Sequence, residues 1–192
     1  IPYFEKMYRI DNLVNKYQRD LLFFHLDHCN DDALIKSCID KGFASVMYDG
    51  SEENISINAA NTNKYYKYAN HKTLLEVEIG SIGGVEDGFG VDKSNYFEPK
   101  ELLEFSRTAK FDLLALGIGN VHGEYKSLSS VRLDLLELSK DLIGKRPLVL
   151  HGGSGLTKKM IKKSIDLGVV KINISTSLKN RTLTILKEYS SS

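Results

Sequence analysis

Short apolar runs alternate along this chain with longer segments whose apolar residues recur at helical spacing. The short runs are Leu21–Asp27 (LLFFHLD), Ala44–Asp49 (ASVMYD), Leu74–Ile79 (LLEVEI), Leu113–Ile118 (LLALGI), Pro147–His151 (PLVLH) and Val169–Ile174 (VVKINI). Their length and their β-branched or aliphatic content predict strands. Near-continuous apolarity predicts a parallel sheet covered on both faces. Of the intervening segments, Asp31–Lys41 places Ala33, Leu34, Cys38 and Ile39 ahead of Gly42, and Glu52–Asn70 sets Ile55, Ala59 and Tyr66 against a polar face. Pro99, which lacks an N–H, opens a third helix that runs through Leu102, Leu103 and Phe105. Leu128–Leu142 is rich in leucine, and Thr157–Asp166 stops at Gly168.

This alternation predicts βαβ units with right-handed crossovers. Six strand–helix units are countable. A doubly wound sheet would use all six, whereas a closed (β/α)8 TIM barrel needs eight. Two details favour the barrel. Chemically loaded residues end nearly every strand, and glycine- or hydroxyl-rich loops suited to phosphate follow the last two. On that reading residues 1–192 are a single partial TIM-barrel catalytic domain, units 3 to 8, with the first two βα units outside this sequence. The segment Pro2–Gln18 then becomes the helix before strand 3.

The bulk properties narrow the class without naming a chemistry. The 192 residues suit one core, with 42% hydrophobic and 27% charged residues. A net charge of +1 gives no general attraction to nucleic acid or membrane. No apolar run has the length of a membrane span, and the N-terminus lacks a signal-peptide pattern. Two cysteines, Cys29 and Cys38, without a CxxC, fit a reducing cytoplasm better than a disulfide framework.

Chemistry concentrates at the strand ends: HLDHC, MYDGS, EVEIG, GIGNVHG, LHGGSG and NIST. His28, His122 and His151 fall at or just past strand C-termini, which a barrel would gather into one pocket. Three neutral imidazoles form a standard catalytic zinc shell with a fourth position open. His25 and His71 lie off this pattern and read as structural. Asp27, beside His28, suits either proton exchange or the orientation of a ligand imidazole. Asp49 and Glu78 suit ligand orientation, an alternative metal position or a solvated strand end. In His151–Gly155 (HGGSG), Gly152 and Gly153 let backbone approach an anion ahead of a helix N-terminus, and Ser154 adds a hydroxyl. Asn173, Ser175 and Thr176 offer donors for phosphate and sugar hydroxyls, while Ser175 or Thr176 equally suits a helix cap. The long, glycine-rich, acidic stretch Gly80–Asn95 suits a lid that could carry Glu86 and Asp87 onto a substrate.

Taken together, HLDHCND, GFASVMYDGS, LEVEIGSIGGVEDG, LLALGIGNVHGEY, PLVLHGGSGL and KINIST resemble the class II fructose-bisphosphate and tagatose-bisphosphate aldolases, in order, from about Leu21 to Thr176. The resemblance implies a lyase that cleaves fructose 1,6-bisphosphate to dihydroxyacetone phosphate and glyceraldehyde 3-phosphate, with tagatose 1,6-bisphosphate as the alternative. It implies catalytic zinc on His28, His122 and His151, and a second or displaced divalent ion at Asp49 and Glu78. It implies proton exchange by Asp27 at the C4 hydroxyl and by Glu86 at C3 of dihydroxyacetone phosphate. Gly123, Gly152, Gly153 and Ser154 would hold the ketose phosphate, with a monovalent cation also suited to the glycine region. Asn173, Ile174, Ser175 and Thr176 would bind hydroxyls and phosphate. A homodimer or homotetramer is implied. Cys29 stands where the family usually has glycine. The family's first two strands and much of its C-terminal region, which carries basic residues for the second phosphate, have no counterpart in this sequence. Outside the family, a metal hydrolase or a non-catalytic scaffolding paralogue fits the same histidines, but the absence of an HxH pair and the presence of a phosphate loop weigh against a hydrolase.

Overall fold

The computed structural model describes residues 22–86, 89–91, 94–123, 125 and 127–190. The expected helix at Pro2–Gln18 and the acidic Asp87 lie outside them. Six strands form one parallel sheet: β1 (His25–Cys29), β2 (Ser45–Tyr48), β3 (Leu74–Ile79), β6 (Leu113–Leu116), β7 (Leu148–Leu150) and β8 (Val169–Ile172), paired in that order. The sheet curls into a half-barrel. Six sheet strands agree with the six strand–helix units counted in the sequence, and a closed barrel is not seen among the described residues.

Helices α1 (Asp32–Asp40), α2 (Ile55–Ala69), α3 (Pro99–Thr108), α4 (Leu133–Ile143), α5 (Lys158–Asp166) and α6 (Thr176–Ser190) follow the six sheet strands in turn. Their starts are written locally. Asp31 Oδ1 accepts from the Leu34 N–H at 2.8 Å, Asn54 Oδ1 from that of Ile57 at 3.0 Å, and Thr157 Oγ1 from that of Met160 at 3.3 Å. The leucine-rich stretch at 128–142 starts late, because a 3-10 turn at Leu128–Ser130 precedes α4. No described helix is long and apolar enough to cross a membrane.

Strand alternation sorts the side chains into two layers. Val46, Leu75, Val77, Leu114, Leu116, Leu148 and Leu150 point outward and pack with Ile35, Leu102 and Phe105 from the helices into the main core. The inner face carries a much smaller apolar cluster of Met47, Ala115 and Val149 with Ile82. Apolar cover on both faces therefore holds only in part: Glu76 and Glu78, two apart on β3, also face inward and are buried.

The stretch at 80–95, read from sequence as a long loop, contains an antiparallel ribbon of β4 (Gly84–Glu86) and β5 (Phe89–Val91). Bridges at Ser81–Asn95 and Gly83–Val121 tie it to the sheet's C-terminal end. Gly84 (φ +91°) lies so close to the next loop that a Cβ there would come within 2.4 Å of the His122 carbonyl oxygen.

Candidate metal centre and active site

Neighbours on a strand normally face opposite sides, yet Asp27 and His28 both turn inward. The pairing of β1 with β2 slips between Leu26 and Cys29, and His28 adopts a left-handed backbone (φ +38°). This extra residue lets Leu26 and Cys29 pack outward while both groups between them enter the pocket. Histidine is among the few residue types enriched in that conformation.

Three histidines distant in sequence meet there. Ring nitrogens of His28, His122 and His151 lie within 4.8 Å of one another. His151 follows β7 and is fully buried, while His122 sits in the loop after β6, its backbone N–H donating to the Gly83 carbonyl at 2.7 Å. Asn120 and Tyr125 tie those two loops together. The Asn120 amide donates to the His151 carbonyl at 3.2 Å. The Tyr125 hydroxyl accepts from the Val121 N–H at 3.2 Å and donates to the Gly152 carbonyl at 3.0 Å.

Carboxylates behind two of the rings set their tautomers. His28 Nδ1 lies 2.7 Å from Asp49 Oδ2, and His151 Nε2 lies 2.9 Å from Glu76 Oε1. Each of these nitrogens donates, which leaves His28 Nε2 and His151 Nδ1 with lone pairs, and these two atoms face each other at 3.0 Å. Two lone pairs at that distance need a proton or a cation between them. Two nitrogens on one tetrahedral zinc, with bonds of about 2.0–2.1 Å, sit roughly 3.3 Å apart. The donor set and its spacing therefore fit a zinc-type ion.

The electrostatics separate the two rings. Burial alone would lower the His28 pKa, but the Asp49 hydrogen bond and charge outweigh it and raise it above the ordinary value. His151, buried more deeply, is held below its ordinary value by burial despite Glu76. Burial opposes the charge of Asp49, yet His28 and Ser51, whose N–H and hydroxyl donate at 3.1 and 2.7 Å, keep its carboxyl low.

Glu78 differs. One oxygen accepts from the Ile82 N–H at 3.0 Å, while the other is buried without a hydrogen bond, 3.5 Å from His28 Nδ1. Burial, followed by the Asp49 charge, drives its pKa well above the carboxylate range. His28, Asp49 and Glu78 thus form a second group with metal-ligand spacing, on the opposite side of the His28 ring.

Asp27 remains half-exposed at the pocket mouth. Partial burial opposes its ionisation, but His25, His151 and His28 outweigh that and hold its carboxyl far below the usual range. Asn173, just past β8, donates to both Asp27 oxygens at 3.1 and 3.2 Å and sits 3.2 Å from His151 Nδ1. Beside it, Gly152 takes a left-handed backbone (φ +69°), and a Cβ there would come within 2.2 Å of the Val121 carbonyl oxygen. Gly153 donates its N–H to the Asn173 carbonyl at 2.9 Å. Ser154 Oγ accepts from the Ser175 and Ser177 N–H groups at 3.1 and 3.2 Å, at the start of α6. Gly123 (φ +86°) borders open space, and Ile174 is exposed. Glu86 ends β4, and its side chain lies outside the described residues.

Sequence reasoning passed over Glu76, Asn120 and Tyr125. The signal for Glu76 was present: in LLEVEI it shares the face of Glu78 two residues on. Lys171, within β8, places its ammonium 2.6 Å from Glu76 Oε2, a partly buried ion pair rather than a free amine.

The family model "Fructose-bisphosphate aldolase class-II" matches residues 4–192. A "Sulfofructosephosphate aldolase" of Alkalicoccus urumqiensis is 40% identical over 174 residues, covering 87% of this chain and 60% of the relative. A "Fructose-bisphosphate aldolase" of Staphylococcus aureus is 38% identical over 183 residues, covering 91% of this chain and 63% of the relative. The chain thus spans about three-fifths of these curated relatives. Among solved structures, the YdjI aldolase from Escherichia coli K12 superimposes with a TM-score of 0.81 at 25% identity, covering 98% of this chain and 66% of that one.

Proposed function

Because the chain belongs to the class-II fructose-bisphosphate aldolase family, we propose that it is the larger part of a zinc-dependent lyase that reversibly cleaves fructose 1,6-bisphosphate to dihydroxyacetone phosphate and glyceraldehyde 3-phosphate. The observation that carries this reading is the pair of lone-pair nitrogens, His28 Nε2 and His151 Nδ1, aimed at each other at 3.0 Å with a carboxylate fixing each ring from behind. His28, His122 and His151 hold the zinc, which supplies Lewis acidity toward the substrate carbonyl.

The chain's own groups do the rest. In cleavage the C3–C4 bond breaks. Asp27 takes the proton of the C4 hydroxyl, kept ionised by its histidine neighbours and oriented by Asn173. Glu86, on the ribbon of β4 and β5, returns a proton to C3. Gly123, Gly152, Gly153 and Ser154, with the backbone of Ile174 and the donors of Ser175 and Thr176, hold the phosphate and hydroxyls of the ketose end. Asp49 and Glu78 serve a second divalent ion, and the orphaned oxygen of Glu78 supports that reading. The glycine loops also suit a monovalent cation. The catalytic unit is a partial (β/α)8 barrel in a cytoplasmic homodimer or homotetramer.

A coupled assay on the full-length protein tests this, with and without chelator, against fructose and tagatose bisphosphates, which differ only at C4. The relative named for sulfofructosephosphate makes a sulfofructose phosphate a third arm. Chelator-sensitive release of two trioses is expected, fastest from fructose bisphosphate. Release of inorganic phosphate alone would instead indicate a hydrolase. A protein that binds no zinc would be a non-catalytic paralogue.

A further inference from the structure

Below the three-histidine centre lies another set of atoms with metal-ligand spacing: His25 Nε2, an oxygen of Asp27 and an oxygen of Glu76. An imidazole and two carboxylates suit zinc or manganese. This set already has a cation. The Lys171 ammonium lies 2.6 Å from Glu76 Oε2 and 3.0 Å from His25 Nε2, and His25 Nε2 is itself 3.4 Å from Asp27 Oδ1. Lys171 reaches this point from β8, on the far margin of the half-barrel from β1, which supplies His25 and Asp27. With Nε2 accepting from the ammonium, the other ring nitrogen, Nδ1, donates to Ser45 Oγ at 2.7 Å.

We propose that Lys171 is the resident cation of the His25–Asp27–Glu76 cluster, and that its ammonium keeps divalent ions out of a second binding position directly beneath the catalytic one. This rests on the reading of His28, His122 and His151 as the metal centre. The consequence for the reaction is specific. A metal ion in the lower cluster would bind Asp27 and Glu76 as ligands. Asp27 would lose the lone pairs it needs for proton exchange. Glu76 would be drawn from His151, whose Nδ1 faces the upper centre only while Nε2–H is held at 2.9 Å. A side-chain ammonium neutralises the buried Glu76 without demanding inner-sphere bonds. Unlike an exchangeable ion, it is tethered at a fixed stoichiometry. Lys171 is therefore a positioning residue that acts through Glu76 and His25.

Zinc titration of the full-length protein, followed by the ring 15N and 1H resonances of each histidine, tests this. In the wild type, His28, His122 and His151 shift with bound zinc, and His25 stays fixed through several equivalents. In Lys171→Met, which keeps length and loses charge, His25 shifts and one more zinc per chain is retained on equilibrium dialysis than in the wild type. Lys171→Arg behaves as the wild type. The proposal is overturned if zinc moves the His25 resonances in the wild type, or if Lys171→Met takes up no additional ion and leaves His25 unmoved. Should Lys171→Met not fold, the wild-type titration alone decides, with His25 fixed or shifting. Failure of the underlying reading has a separate signature: zinc leaves His28, His122 and His151 unmoved in the wild type.

Discussion

His28 and His151 turn lone pairs toward one point, but they differ in how readily they hold a proton. Asp49 raises the His28 pKa against the effect of burial, whereas burial keeps His151 neutral. An imidazole must be neutral to ligate, so binding a divalent ion displaces the His28 proton. As pH falls through the raised His28 pKa, above the ordinary value of about 6.5, zinc affinity is expected to weaken. Titration calorimetry in buffers of different ionisation enthalpy should detect the released proton. The same shift acts on the apo protein with the opposite sense. A raised histidine pKa stabilises the fold below the unfolded-state value, and that contribution disappears as pH rises through the folded-state value. Asp27 calls for a different measurement. Asp27→Asn should keep the Asn173 neighbourhood and zinc binding, yet lower kcat by roughly 10²–10⁴-fold, the usual worth of one positioned acid–base group. An unchanged kcat would remove Asp27 from the chemistry.

At the scale of elements, each strand end delivers a group and each helix behind it supplies a wall. Helix α3 shows the division. Leu102 and Phe105 are fully buried against the sheet, and Phe105 packs on Phe111 with ring centroids 5.6 Å apart. Phe105→Ala should cost about 3–5 kcal/mol in urea unfolding, without altering the residues that face the pocket. Gly152 is the converse case. Gly152→Ala must place a Cβ 2.2 Å from the Val121 carbonyl oxygen at φ +69°, so the loop must shift, and the variant should raise KM for the proposed phosphorylated substrate as well as lower stability, whereas the α3 variant lowers stability alone. The strands and most helices were legible because period-2 and period-3.6 patterns survive in short windows. So was the convergence of His28, His122 and His151, since residues at the ends of parallel strands share one rim. The ribbon at 84–91 was not legible: its strands are too short and glycine-rich to show alternation. Glu76 was less legible because it lies mid-strand, away from the rim where the other groups gather, and its partner Lys171 is 95 positions away.

For the molecule as a whole, the proposed ligands come from β1, the loop after β6 and the end of β7, so one ion ties together parts of the sheet that are far apart in sequence. Zinc that binds the folded chain alone should raise stability by about 2.7 kcal/mol at a free concentration one hundred times its Kd. A thermal scan with and without chelator should show the midpoint rising with zinc, and a midpoint indifferent to zinc would contradict the shared site. The core behind the sheet also shelters both thiols. Burial, together with Cys29 nearby, pushes the Cys38 pKa up to about 11, and burial raises that of Cys29. Neither should react with a thiol reagent at neutral pH until the protein unfolds.

The surplus residue in β1 has a bearing on design. Anyone transplanting this constellation to another parallel scaffold must copy a miscount as well as a set of side chains. A graft onto a regular strand would send Asp27 or His28 into the wrong hemisphere, however faithful its chemistry.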